Sequence, residues 1–140
     1  MQNPYMTPTL HRRLNALALT LAITFAGLIW RLAPLHLPWL LYKYGGSMLW
    51  AAALYWFVTI ILPRLKPHQL ALIAALAAAA VEFSRLVHTP AFDAFRLTLA
   101  GKLLLGRFFS LRNIAAYWLA IAITAAIDHA SQHPSRTGSR

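Results

Sequence analysis

Cysteine is absent from the 140 residues. That excludes disulfides, thiolate metal sites and cysteine nucleophiles, and a zinc site would have to rely on histidine and carboxylate alone. Acidic side chains are nearly absent as well: three carboxylates stand against thirteen Lys and Arg, for a formal charge of +10. Charge of either sign is scarce, at 11% beside 59% hydrophobic residues, where an ordinary soluble domain carries about 25%. What little there is lies scattered between apolar runs, without a basic stripe interleaved with aromatics, which excludes a nucleic-acid surface. The cations are therefore expected to flank membrane spans and to meet anionic lipid head groups.

Four apolar runs are present. LNALALTLAITFAGLIW begins at Leu14, follows the basic His11-Arg12-Arg13, and is longer than the apolar core of a cleaved leader, so it is expected to be retained as a span. SMLWAAALYWFVTIIL lies between Gly45-Gly46 and Pro63. A third run starts near Gln69, passes through an alanine-rich stretch and meets Glu82. A fourth ends near Ile127. A helix rises 1.5 Å per residue, so ~20 residues cross the hydrocarbon, and the runs predict spans over about 14–31, 47–62, 69–87 and 110–128. Residues 1–13 and 130–140 are polar and are expected to be disordered tails around one domain, 14–129.

Between the third and fourth spans, Thr89-Pro90 is a helix-start signal, with Asp93 placed in the favourable first turn. That helix is expected to stop near Gly101, the remainder KLLLGRFF is too short to cross, and the stretch over about 90–108 predicts an amphipathic or re-entrant helix. The expected architecture is an all-α integral membrane protein, a compact bundle of about four transmembrane helices. An even number of spans puts both termini on one side with Arg12, Arg13, Arg64, Lys66, Arg136 and Arg140. Arg31, Lys43, Arg96, Lys102, Arg107 and Arg112 fall on the other, with Arg85 nearby. The basic triplet before the first span favours cytoplasmic termini. The far side is then basic against that bias, and an anionic ligand gives its cations a reason to be there.

Two of the three carboxylates fall in AAAAVEFSRLVHTPAFDAF, residues 77–95. Glu82 and Arg85 are three apart on one helix face and can pair, as can Asp93 and Arg96. An ionisable group at membrane depth marks a site unless it merely locks helices together, and both readings of Glu82 stand. Arg31, Lys43, Ser47, Glu82, Arg85, Asp93 and Arg96 form the candidate ligand-binding set, converging on a phosphate or carboxylate through the arginine forks. Glu82, His88 and Asp93 match no metal or acid-base spacing, and no serine lies in a nucleophile elbow. No catalytic residue, metal or cofactor is expected.

KYGGSMLWA at 43–51, EFSRL at 82–86, TPAFDAFRLTLAGKLLLG at 89–106 and AAYWLAI in the last span resemble the bacterial membrane proteins grouped as domain of unknown function family 2809. The resemblance covers roughly residues 27–122 and extends distantly to VanZ-like proteins. It picks out Lys43, Tyr44, Gly46, Leu49, Trp50, Ala51, Glu82, Phe83, Asp93, Arg96, Gly101, Leu105 and Gly106. Ser47 stands where the family pattern implies aspartate and Arg85 where it implies glutamine, which makes the polar cluster more basic. It implies a bacterial inner-membrane location and hints at envelope-lipid biology. The expected function is binding of an anionic lipid or polyprenyl-phosphate head group at a basic interface, without catalysis. The alternatives are a structural or accessory subunit, with an unnamed protein partner, and a small transporter.

Overall fold

The computed structural model describes residues 7–106 and 108–134. All its elements are helices, four of them long and apolar enough to cross a bilayer. The first, α1, runs Pro8–Leu32 and starts where the Thr7 hydroxyl accepts from the Leu10 amide at 3.3 Å, with Pro8 in the first turn. Residues 8–13, expected in a tail, are thus its first turns: the Thr-Pro start signal seen at 89–90 also stands at 7–8. Of the expected tails, residues 1–6 and 135–140 lie outside the described residues.

Helix α2, Trp39–Ile61, continues through Gly45-Gly46, which the sequence marks as a boundary before residue 47. Each glycine lowers helix propensity by about 1 kcal/mol, but here they receive α1. A Cβ at Gly45 would sit 2.5 Å from the Trp30 indole, and one at Gly46 would run into the Arg31 guanidinium. Close packing of α1 on α2 outweighs the local preference. Helix α3, Pro67–Ser84, opens with the Gln69 side chain accepting from the Lys66 amide at 3.0 Å and ends three residues short of the expected 87.

The expected interfacial stretch over 90–108 forms two helices, α4 at Pro90–Leu97 and α5 at Leu99–Leu104, so the first stops at Leu97, ahead of the expected end near Gly101. Thr98 breaks it: its backbone is extended, and its hydroxyl accepts from the Gly101 amide at 3.0 Å to cap α5. Gly101 permits the corner, because a Cβ there would collide with the Phe95 carbonyl. Helix α6, Leu111–Gln132, completes the bundle and takes in residues 130–132 of the expected tail.

Helix α2 lies at the centre, packed on α1, α3 and α6, while α6 also packs on α3. The alanine-rich face of α3 carries Leu70, Ala74 and Ala78, all fully buried at four-residue intervals. Small side chains there let the neighbouring helices approach closely. Tyr55, Trp56, Tyr117 and Ile121 fill the remaining interior. Leu14, Leu17, Leu21, Phe25 and Ile29 of α1 face outward, as the lipid-facing side of a span does.

Candidate functional site

The same four-residue register that buries Leu70, Ala74 and Ala78 carries Glu82 inward, so its carboxylate is fully buried at the far end of α3. Its environment is built for a charge. Oε1 accepts from Arg85 Nη1 at 2.8 Å, from the Ser110 amide at 2.7 Å and from Asn113 Nδ2 at 3.3 Å. Oε2 accepts from the Tyr117 hydroxyl at 3.1 Å and lies 2.8 Å from Arg85 Nη1. The two oxygens are saturated by donors from α3, α6 and the turn that begins α6. Such a carboxylate fixes its neighbours and has no free edge with which to accept a substrate proton.

Arg85 extends this order to the α5–α6 connection. Its Nε donates to the Leu105 carbonyl, Nη1 donates to the Phe108 carbonyl at 2.9 Å, and Nη2 donates to the Tyr117 hydroxyl at 3.2 Å. Gly106 has φ +68°, a left-handed conformation that favours glycine, and a Cβ there would come within 2.9 Å of the Arg85 guanidinium carbon. Arg85 thus ties the connection down as well as balancing Glu82.

Beneath the connection lies a cavity of about 600 Å³, within the usual range for small-ligand sites. Arg31, Lys43, Lys102 and Arg85 bring its positive charge, Thr24, Ser47, Ser110, Asn113 and Tyr117 its neutral polar groups, and Ile23, Leu28, Leu49 and Trp50 part of its apolar wall. From Arg31 back to Ile23 the lining follows two turns of α1, about 12 Å of helix. It is therefore basic at one end and apolar in its depth. Among the described residues, Arg31, Lys43 and Lys102 have no carboxylate at ion-pair distance. Lys43 instead lies 4.9 Å from the centre of the Trp39 ring and 5.4 Å from that of Tyr44, and Arg31 lies 5.6 Å from that of Tyr42. The buried Ser47 donates to the Lys43 carbonyl at 3.1 Å.

The candidate residues therefore divide. Arg31, Lys43, Ser47 and Arg85 gather around the cavity, with Gly46, Trp50 and Gly106 in its wall. Glu82 stands behind Arg85. Asp93 and Arg96 pair at 3.1 Å elsewhere: Arg96 is buried, donates to the Val87 carbonyl at 2.8 Å and to that of Ser84, and thereby latches α4 onto the end of α3. The exposed Phe83 meets the Phe109 ring at 5.4 Å, and Gly101 serves the corner into α5. Arg107 lies outside the described residues.

Sequence reasoning missed Asn113 and Tyr117, and a second buried carboxylate at the opposite end of the bundle. Asp128 accepts from the Tyr55 hydroxyl at 2.6 Å, from Arg12 Nη2 at 3.0 Å and from Gln132 Nε2 at 2.9 Å. The signal was in α6, whose polar residues Asn113, Tyr117, Thr124 and Asp128 share the buried stripe with Ala120 and Ile121. Among the described residues no three His, Asp or Glu side chains are grouped to hold a metal ion.

Residues 36–121 match the model of a family described as "Protein of unknown function (DUF2809)". The chain belongs to this family, in agreement with the resemblance read from its motifs. The match contains the Glu82 cluster and most of the cavity lining, while Arg12 and Asp128 lie outside it. No solved structure matches the chain.

Proposed function

We propose that this protein resides in the bacterial cytoplasmic membrane with both termini in the cytoplasm. We further propose that it binds an anionic amphiphile in the cavity between α1, α2, α5 and α6, without catalysis. The observation that carries the reading is the division of the cavity into a basic end, where Arg31, Lys43 and Lys102 have no acidic partner among the described residues, and an apolar depth. A phosphorylated head group with an acyl or polyprenyl tail matches both halves, since phosphate pairs with cations and the tail with the aliphatic wall. Arg85 is committed to Glu82 and to backbone carbonyls, so Arg31, Lys43 and Lys102 are the principal head-group cations. His11-Arg12-Arg13 ahead of the apolar part of α1 supports the orientation.

The test is native mass spectrometry of the gently extracted protein, comparing the parent with an Arg31→Gln, Lys43→Gln double variant. The expected outcome is a discrete anionic lipid on the parent that is absent from the folded double variant. Equal and unselective lipid on both would transfer the weight to a scaffold or accessory subunit. That second reading is favoured by one observation, the internal saturation of the Glu82–Arg85 pair.

A further inference from the structure

Helices α1 and α6 share the wall of the cavity without packing on each other. Thr24, Leu28 and Arg31 line it from α1, and Asn113 and Tyr117 from α6. Helices in contact place their axes about 8–10 Å apart, which brings facing Cα atoms well inside that distance. The Cα atoms of α1 and α6 nowhere come within 8 Å, and α1 packs on α2 alone. Among the described residues the ion pair of Arg12 with Asp128 is the one polar contact between the two helices. It lies about three turns of α1 before Thr24. The flank of α1 that borders the cavity stays uncovered on the way to that pair. Leu17 and Leu21 stand seven residues before Thr24 and Leu28, on the same flank, and both are exposed, as is Thr24 itself. A seam between α1 and α6 therefore leads out of the cavity and opens onto the surroundings of the bundle.

The cavity is also shorter than a lipid. Its lining follows α1 for two turns, about 12 Å, and the basic end at Arg31, Lys43 and Lys102 takes up part of that length. The tail of a membrane lipid fills one leaflet, about 15 Å of the ~30 Å hydrocarbon. A tail of that length does not end inside. From this we infer that the seam between α1 and α6 is a lateral opening through which the tail of the bound amphiphile passes into the bilayer. The cavity then holds the head group and the first part of the tail, while Leu17 and Leu21 supply the apolar surface for the part that emerges. The inference rests on the anionic-amphiphile reading above and adds the route and the chain selectivity of the same site: the head group is chosen, the tail length is not.

The experiment uses the delipidated full-length protein and two probes that share a phosphomonoester head group, octyl phosphate and hexadecyl phosphate. Retention is read by native mass spectrometry. The parent is expected to retain hexadecyl phosphate at least as well as octyl phosphate, because the additional methylenes lie in the seam and beyond it. A parent that holds octyl phosphate and rejects hexadecyl phosphate has a closed cavity, which overturns the inference and leaves the amphiphile reading in place. Retention of neither overturns the amphiphile reading itself. In Thr24→Trp the indole is expected to fill the seam, lowering hexadecyl phosphate retention about tenfold or more, the equivalent of two methylenes denied burial, with octyl phosphate kept. Unchanged hexadecyl phosphate retention in the folded variant, or equal loss of both probes, overturns the seam as the exit. Should that variant fail to fold, the parent still decides: a diazirine at the midpoint of the hexadecyl chain is expected to label α1 between Leu17 and Thr24, and absence of adducts there overturns the route. Inorganic phosphate separates the sources. Hexadecyl phosphate is expected to persist against an equal concentration of it; displacement would assign the site to a soluble phosphate and overturn the tail route.

Discussion

The two ends of the bundle repeat one chemical arrangement with different consequences. At one end Glu82 receives Arg85 and the Tyr117 hydroxyl; at the other Asp128 receives Arg12 and the Tyr55 hydroxyl. Both carboxylates are buried, and both tyrosines come from the interior faces of long helices. The difference is in what the arginine does besides pairing. Arg85 fastens the connection that roofs the cavity through the Leu105 and Phe108 carbonyls, and the backbone amide of Ser110 joins it on Glu82. Among the described residues Arg12 pairs with Asp128 alone, is one-fifth exposed, and leaves its buried Nε without a partner. The same triad thus shapes a cavity at one end and joins helices at the other.

The sharpest way to break the comparison is Glu82→Leu. It strands a guanidinium that is nine-tenths buried, and loss of one partner of such a pair costs about 3–5 kcal/mol. A large fall in the thermal midpoint of the detergent-solubilised protein is expected, with much of it recovered in the double variant Glu82→Gln, Arg85→Gln. A fall no larger than that of the next variant would remove the distinction between the ends. Asp128→Asn, at the other end, keeps a neutral acceptor for Tyr55 and leaves Arg12 access to water, so about 1–3 kcal/mol is expected. The same thermal melt checks it, and lipid retention should not change.

Gly106→Ala is expected to cost about 1–2 kcal/mol, because L-residues are strained at its left-handed φ. The added methyl also crowds Arg85, so faster proteolysis of the α5–α6 connection should accompany the loss. Smallest in stability is Arg31→Gln with Lys43→Gln, within about 1 kcal/mol, because neither cation has an acidic partner among the described residues. Its effect should appear in lipid retention instead. Loss of the fold in that variant would mean that these cations belong to the scaffold.

The four spans were legible as apolar length, since a bilayer requires the same run of residues whatever packs against it. Their ends were less so. Gly45-Gly46 reads as a break by local propensity, yet α1 needs both glycines to approach α2, and the helix runs through them. Thr98 gave no warning of the α4–α5 corner, because a threonine inside an amphipathic stretch becomes a cap only when the chain turns there. At the site, the Glu82–Arg85 and Asp93–Arg96 pairs were visible from their spacing of three. That Arg96 faces the end of α3 and not the cavity is a property of the loop after Ser84, which periodicity does not describe. Asn113 and Tyr117 escaped notice because a buried polar group attracts attention from sequence mainly when it is charged. Asp128 escaped although charged, since it lies beside what reads as the start of a tail.

The contact between Arg12 and Asp128 joins the second turn of the first helix to the last turns of the final one. On a ribosome, Arg12 emerges more than a hundred residues ahead of its counter-charge and enters the membrane without it. Tyr55 likewise waits for its acceptor until α6 is made. A nascent chain halted before residue 128 therefore carries an arginine and a tyrosine hydroxyl that have lost this acceptor, and the finished chain does not. The clasp therefore closes only once α6 is in place, so the first and last spans of the bundle depend on each other for the partners of these buried groups.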